Sequence, residues 1–576
     1  MSMSLEKNWK MRVQEGGPDG FGHRLGVSDL VVDLLRGRGL STVEEMDMYL
    51  SPGLRHLMPP GEIPGLTRGA EVVAAGLTAG KRMAVWGDYD VDGVTGATLL
   101  LDFLRQRGLS AAWYIPNRLE EGYGLNMAGI ESLARDGVSL LVTVDCGITN
   151  VAEVARAKEL GMAVVVTDHH LPGPELPPGD AVCDPKLSDN AGSDLAGVGV
   201  AFFLAAALNR MLPGTPCDVR RLLDLVAMGT LADVVPLRGQ NRILVKNGLL
   251  LLSEALRPGV RALREVCGQT PGTPIGAGQV GFNLAPRINA AGRMGRADAA
   301  MDLLLAGDMD TARPLAAFLD QENTERRQEE ERILEEARAQ AATFSDRASL
   351  TLHGPGWHSG IIGIVASRIV DATHKPTLIV TEEGGALKGS GRSISVLDLH
   401  EALTEVSDLF CKFGGHRQAA GFSLADGDVA ALRERFEAAV VRRIGADPIP
   451  PVLTLDGELG FSRIDAGLVR EIELLQPFGP GNPEPLFSSP PVMALSRRTF
   501  GGGGDHVVVS LRDETAQVTL RGKGWRMAGE IAEAMVGRAV RVAFTPRLDT
   551  YDGLPRIELR LKDVKDVKDV KDVKVF

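Results

Sequence analysis

From Lys81 onward the chain alternates short, almost uninterrupted apolar runs with helical stretches, and this rhythm leaves few folds open. The runs are MAVW (Met83–Trp86), AAWYI (Ala111–Ile115), SLLVTV (Ser139–Val144) and MAVVVT (Met162–Thr167). The stretches between them end at Gly108, Gly137 and Gly161, where a left-handed helix stop is expected before the next strand. Strands apolar on both faces and joined by helices predict a parallel sheet covered on both sides, an α/β domain. In such sheets ligands sit beyond the carboxyl ends of the strands.

The residues that follow each run are acidic. DYDVDG follows the first and places Asp88, Asp90 and Asp92 on alternate positions. Three carboxylates so close repel one another near neutral pH, which calls for a cation. An EF-hand loop opens the same way but needs Glu at its twelfth position, where Leu99 stands. SLLVTV delivers Asp145, and MAVVVT delivers Asp168, His169 and His170. A mixed carboxylate and imidazole set suits Mn²⁺, and less exclusively Mg²⁺. Asp233, in the otherwise apolar GTLADVVPL, is read as a further ligand of the same cluster.

The rest of the chain divides by composition. Leu303 to about Ala342 is rich in helix formers and charge and reads as a long, exposed connecting helix. LTLHGP, GIIGIVASRIVDA and PTLIVT then begin a second α/β unit that runs to about Arg443, and DPIPP (Asp447–Pro451) reads as a linker. HVVVSL, AQVTL, AVRVAF and PRIELRL, with GGGG at Gly501–Gly504, predict a small all-β domain of OB type. Its three-residue KDV repeat matches neither helix nor strand and reads as a charged tail.

Composition narrows the function. The 576 residues carry 44% hydrophobic and 24% charged side chains and a net charge of −12. At roughly 150 residues per domain they predict three to four folded domains. Five cysteines far apart, with no CxxC, argue against a disulfide framework or a zinc knuckle and fit a reducing cytoplasm. Glu6, Lys7, Asn8 and Lys10 stand where a signal peptide needs an apolar run, and Val198–Leu208 stops far short of a membrane span. Between Pro491 and Leu561 eleven Arg and Lys face eight Asp and Glu, a weak cationic bias for nucleic acid in an acidic chain. Gly76 and Gly80-Lys81 miss the phosphate-loop spacing and Arg82 stands where Ser or Thr would hold magnesium, while GVG at Gly197–Gly199 lacks the third glycine of a dinucleotide site.

Taken together, DYDVDG, VTVDCGI around Asp145, DHH at Asp168–His170 and ADVVPL around Asp233 resemble the four acidic motifs of the DHH phosphoesterases. RINAAGR (Arg287–Arg293), WHSGIIGIVASR, SGRS (Ser390–Ser393), FGGHRQAAG and PFGPGNPEPLF are similar, in order, to the DHH/DHHA1 branch of single-stranded-DNA-specific exonucleases. The resemblance runs from Trp86 to Phe487, with a weaker continuation. It implies two divalent metal ions, Mn²⁺ or Mg²⁺, with Asp145 bridging and Asp88, Asp90, Asp92, His169 and Asp233 completing the shells. Asp168 is counted with the metal set and His170 with the catalytic groups, in close support. Arg287, Asn289 and Arg293 are implied to grip substrate, Arg293 also aiding catalysis. Ser390 and Arg392 suit a terminal phosphate, His358 and His416 are implied near the scissile phosphate, and Gly414 and Gly415 would let backbone approach the strand.

The expected domains are an N-terminal extension packing on the DHH domain (1–80), the DHH domain (81–305), the connecting helix (306–345), a DHHA1 domain (346–446), an OB-like domain (452–562) and a tail (563–576). The expected activity is 5′-to-3′ hydrolysis of single-stranded DNA to 5′-mononucleotides, in repair and recombination. The competing readings are a DHH phosphoesterase of short oligonucleotides or cyclic dinucleotides, and a noncatalytic single-strand binder. The expected partner is single-stranded DNA, with a single-strand DNA-binding protein and a helicase as candidates; the chain is expected to be a cytoplasmic monomer without membrane contact.

Overall fold

The computed structural model describes residues 6–12, 20–118, 120–425, 428–549 and 554–567. They form two compact units, one of Gly53–Pro448 with Gly479–Gly481, the other of Met1–Pro52, Ile449–Phe478 and Asn482–Phe576. Among the described residues no helix is long and apolar enough to cross a membrane.

In the first unit all four apolar runs are strands of one parallel sheet, ordered Ala112–Tyr114, Met83–Gly87, Leu140–Val144, Ala163–Thr167, Ala181–Cys183. The fifth strand, only three residues long, gave no apolar run to read. Gly108, Gly137 and Gly161 take φ of 70°, 77° and 84°, the left-handed stops expected of them. Alternate residues feed two cores. Val85, Val142 and Val165 join one, and Trp86, Leu141 and Val166 the other, so both faces of the sheet are covered.

The connecting helix departs from expectation. Ala297–Leu305 is a separate buried helix, and the long one spans Met309–Thr343 from an Asp308 cap. It is not merely exposed: Ala312, Ala316 and Leu319 join the core of the DHH sheet, and Ile333, Leu334 and Ala337 join that of the following domain. Alanine at helical spacing buries a close-packed face that hydrophobicity alone does not announce. The following domain is a five-stranded sheet ordered Phe410–Gly415, Ala419–Leu424, Ala386–Arg392, Thr377–Glu383, Leu350–His353, in which only the last pair is parallel.

The second unit is a barrel. Ala539–Asp549, Val492–Phe500, His506–Asp513, Val518–Gly524 and Arg556–Asp566 pair in that order, and the last strand returns to pair with the first. This closed five-stranded ring is the OB arrangement. Two expectations are corrected here. Residues up to Pro52 do not extend the DHH domain. Asn8–Met11 pairs in parallel with Val452–Leu455, and Val31, Leu34 and Leu35 share the barrel's core. The repeat does not begin as a tail either: Val564 pairs with Val542 and Trp9 Nε1 donates to Asp563, so Lys562–Asp566 is strand. Residues 568–576 lie outside the described residues.

One buried arginine ties together the two helices that carry site carboxylates. Arg257 bridges Asp102, on Val91–Gln106, and Asp224, on Leu223–Ala232, at 2.9 Å each, and its side chain is 9% exposed. Removing it leaves Asp224 without its cation and Asp102 with only the more exposed Arg105, at 2.8 Å. Arg257→Met is expected to cost about 3–5 kcal/mol in urea unfolding. A loss below about 1 kcal/mol would mean that hydrophobic replacement compensates and that the ion pairs do not hold these helices.

Candidate metal centre and phosphate cleft

The acidic residues converge because each stands where a strand or helix of the sheet ends. Asp88 follows Met83–Gly87. Asp90 caps Val91–Gln106, its carboxylate accepting from the Asp92 and Gly93 N–H groups at 2.8 and 3.2 Å. The turn is tight: a Cβ on Gly93 would lie 2.4 Å from the Asp88 nitrogen. Asp92 accepts from the Gly197 and Val198 N–H groups at 2.6 and 2.9 Å, at the start of the helix Gly197–Met211. That helix end holds the carboxylate by hydrogen bonds and dipole together. Asp145 follows Leu140–Val144 with φ of 63°, and Asp233 ends Leu223–Ala232 beside Val234, also at φ 63°. A β-branched residue in that region is strained, and such strain gathers at functional sites.

His169 joins the set. Its Nε2 lies 3.0 Å from Asp145 Oδ1, 3.5 Å from Asp233 Oδ2 and 3.8 Å from Asp92 Oδ2. Three overlapping groups each bring potential ligand atoms within 4.8 Å of one another: Asp88, Asp90 and Asp145; Asp92, His169 and Asp233; Asp145, His169 and His170. Four of these atoms, Asp88 Oδ1, Asp145 Oδ1, Asp233 Oδ2 and His169 Nε2, are buried without a hydrogen-bond partner in the protein. Buried polar atoms left so are costly unless a ligand satisfies them. Hard oxygens with one imidazole fit Mn²⁺ or Mg²⁺.

The charges bear the same mark. Burial, then Asp90, raises the Asp92 carboxyl to about 7, and burial, then Asp92, raises Asp233 to about 9. Asp88 and Asp145 are pushed well up, by burial first and by neighbouring carboxylates next. Burial lowers His169 to about 3, leaving the neutral imidazole a ligand requires.

Asp168, counted above among the ligands, is placed otherwise. Its Oδ2 accepts from the Ile148 N–H at 2.9 Å, and its Oδ1 from the His169 and His170 N–H groups and from His170 Nδ1 at 2.8 Å. Burial would raise it, but the His170 hydrogen bond and charge hold it below the ordinary carboxylate range. His170 in turn resists its own burial through that bond and stands at about 9. Asp168 therefore orients the histidines and does not face the ligand groups. Tyr123 was not legible in the sequence. Its hydroxyl donates to the Asp145 carbonyl at 3.0 Å and lies 3.1 Å from His170 Nδ1.

The predicted substrate residues divide. Arg293 is half-buried and donates to the Gly360 carbonyl at 2.6 Å, which joins the DHH helix Ala285–Arg293 to the first turn of Ser359–Thr373. Burial, then the positive charges of Arg118, Arg326 and Arg392, brings it down to about 9. Arg118, stacked over Tyr89 at 5.0 Å, is a second residue that sequence reasoning missed. Ser390 and Arg392 lie together on the strand Ala386–Arg392, against Gly363, where a Cβ would come within 3.0 Å of both. His358 caps its helix through Nδ1, which accepts from the Gly360 N–H at 3.1 Å. Asn289 is half-buried on Ala285–Arg293. Arg287 is engaged elsewhere, with Asp320 at 2.7 Å and the Asn283 carbonyl at 2.6 Å, and braces the long helix instead of facing the cleft. His416, Gly414 and Gly415 are exposed at the end of an edge strand, and no described contact joins them to the acids.

The raised carboxyls set a sign. Groups whose folded pKa exceeds the unfolded value stabilise the fold fully below the unfolded value and lose that contribution as pH rises through the folded one. For Asp92 and Asp233 this window runs from 3.8 up to about 7 and about 9. Chelated protein should therefore melt at falling temperature from pH 5 to 9, and Mn²⁺ should raise the melting temperature more at pH 8 than at pH 5. Equal increments at both would contradict these carboxyls as the ligands.

Comparison with known proteins agrees with this geometry. Family models match at 82–230 (DHH family, N-terminal domain), 345–442 (DHHA1 domain) and 455–563 (RecJ OB domain). The chain is 35% identical over 565 residues to the single-stranded-DNA-specific exonuclease RecJ of Bacillus subtilis, covering 96% of this chain and 71% of that one. It is 33% identical over 560 residues to that of Haemophilus influenzae, covering 94% and 96%. The crystal structure of RecJ in complex with Mn²⁺ from Thermus thermophilus superposes with a TM-score of 0.83 at 34% identity, covering 99% of this chain and 80% of that one. The Mg²⁺ complex from the same organism gives 0.76 at 32% identity, covering 97% and 78%. With its acidic cluster, its two α/β domains and its barrel all accounted for, the chain belongs to the RecJ family.

Proposed function

We propose that the protein is a single-stranded-DNA-specific exonuclease that works from the 5′ end and releases 5′-mononucleotides, in DNA repair and recombination. The observation that carries this reading is the set of buried, partnerless ligand atoms at the strand ends. Asp88, Asp90 and Asp145 would hold one divalent ion and Asp92, His169 and Asp233 the other, with Asp145 shared. When bound, such a pair activates water near neutral pH and offsets charge on the leaving oxygen.

The chain's own residues do the rest. Asp92 is fixed by the helix end at Gly197. His169 is kept neutral, and Asp168 holds its backbone. His170, charged on Asp168 and 3.9 Å from Asp145 Oδ1, adds a fixed positive charge beside the reacting phosphate. Arg293 and Arg118 grip phosphate oxygens, and Ser390 with Arg392 receives the terminal phosphate, since a guanidinium can take two oxygens at once.

The barrel supports a strand-binding role by other means than the sequence suggested. Arg497 is spent on the Ile531 and Ala528 carbonyls and Arg521 faces Glu558. Trp525, half exposed, instead clusters with Phe500 and His506, and Lys523 lies over both larger rings. Aromatic platforms beside cations suit stacked bases.

Digestion of single-stranded DNA labelled at either end should release label first from the 5′ end with Mn²⁺ and stop with chelator. Persistence of long strands while dinucleotides or cyclic dinucleotides are cut would favour the small-substrate reading. Asp145→Ala should abolish hydrolysis in a chain that still folds by circular dichroism; normal turnover would sink the site. Arg392→Ala should cut the preference for a 5′-phosphorylated over a 5′-hydroxyl end about tenfold, the worth of one charge-assisted hydrogen bond. Equal losses on both ends would argue against the pocket.

A further inference from the structure

The long helix carries a stripe of inward positions that turns polar in the middle. At one end Ala312, Ala316 and Leu319 lie in the DHH core; at the other Ile333, Leu334 and Ala337 lie in the DHHA1 core. Between them, at the same steps of four and three, stand Asn323, Arg326 and Glu330. A helix face that is apolar against both domains and polar where it passes between them faces something other than a core.

These side chains are enclosed and only partly satisfied. Asn323 is 3% exposed and its Oδ1 has no hydrogen-bond partner, and Arg326 Nε is likewise buried without one. Glu330, 5% exposed, pairs with Arg326 Nη1 at 3.2 Å and with Arg368 Nη2 at 3.1 Å, so one carboxylate clamps a guanidinium of the helix and one of the DHHA1 domain. A largely enclosed arginine with a donor to spare, sharing its one carboxylate with Arg368, is poorly placed for stability alone. It is well placed for an anion.

We propose that Asn323 and Arg326 bind a phosphodiester group of the single strand, with Glu330 as the positioning residue that holds the Arg326 guanidinium in the cleft. The connecting helix is then part of the substrate grip and not only a spacer. Arg326 offers the donors that Glu330 leaves unused, and Asn323, three residues before it on the same face, would turn its amide so that the Nδ2 N–H groups meet the phosphate oxygens. The assignment rests on the exonuclease reading above.

The test is steady-state kinetics of the full chain with Mn²⁺ on a 5′-phosphorylated oligodeoxythymidine across a series of salt concentrations. Arg326→Gln should raise KM about tenfold with kcat changed less than about twofold, and should flatten the slope of log(1/KM) against log salt by about 0.7, one phosphate contact on a single strand. Arg326→Lys should restore the slope, because it restores the charge. Asn323→Asp, nearly isosteric, should raise KM about tenfold in a chain that still folds by circular dichroism, and stands in if Arg326→Gln fails to fold. An unchanged salt slope in Arg326→Gln, or an unchanged KM in Asn323→Asp, overturns the assignment. If the unsubstituted chain does not degrade the strand at all, the exonuclease reading itself falls, and the helix assignment with it.

Discussion

Mutual repulsion among buried carboxylates is the constraint on which the rest of this molecule depends. Asp88, Asp92, Asp145 and Asp233 share one end of one sheet, and each is held there by backbone that cannot relax away from the others. The hydrogen bonds from Gly197 and Val198 to Asp92 show how this is done. A helix end is aimed at the side chain so that it stays put and part of the cost of its charge is offset. Glycine is required where the chain passes closest. A Cβ on Gly197 would stand 2.7 Å from that of Asp145, so any larger residue would push the central ligand aside.

Rigidity behind the site follows from the same demand. The Asp102–Arg257–Asp224 bridge fixes the helices that begin near Asp92 and end at Asp233. The Asp168–His170 pair fixes the histidines from behind. Neither arrangement is cheap, since buried ion pairs repay little of their desolvation. Both restrict where the ligands can stand, which is what an ion of strict coordination demands.

What the sequence disclosed, and what it withheld, follows a physical line. Strand positions and their acidic ends were legible because apolar runs and glycine stops are local signals. All four runs formed strands, and Asp88, Asp90, Asp92, Asp145, His169 and Asp233 came together. Roles fixed by a distant partner were not legible. Arg287 reads as a cleft residue until Asp320, thirty-three positions later, takes its guanidinium. Asp168 reads as a ligand until the Ile148 N–H and the histidines fill its oxygens. Tyr123 and Arg118 lie in a glycine- and proline-flanked loop with no pattern to mark them. The long helix hid its buried face because alanine supplies most of one end of it.

The pairing of Asn8–Met11 with Val452–Leu455 has a consequence for biosynthesis. The Arg12–Asp456 ion pair spans 444 positions. At ribosomal rates of roughly 5–20 residues per second, the amino-terminal strand is complete about twenty seconds to a minute and a half before its partner exists. The intervening domains have long local contacts and can close in that time; the barrel cannot. The amino-terminal strand must wait outside any sheet, so its pairing comes after most of the first unit has been made.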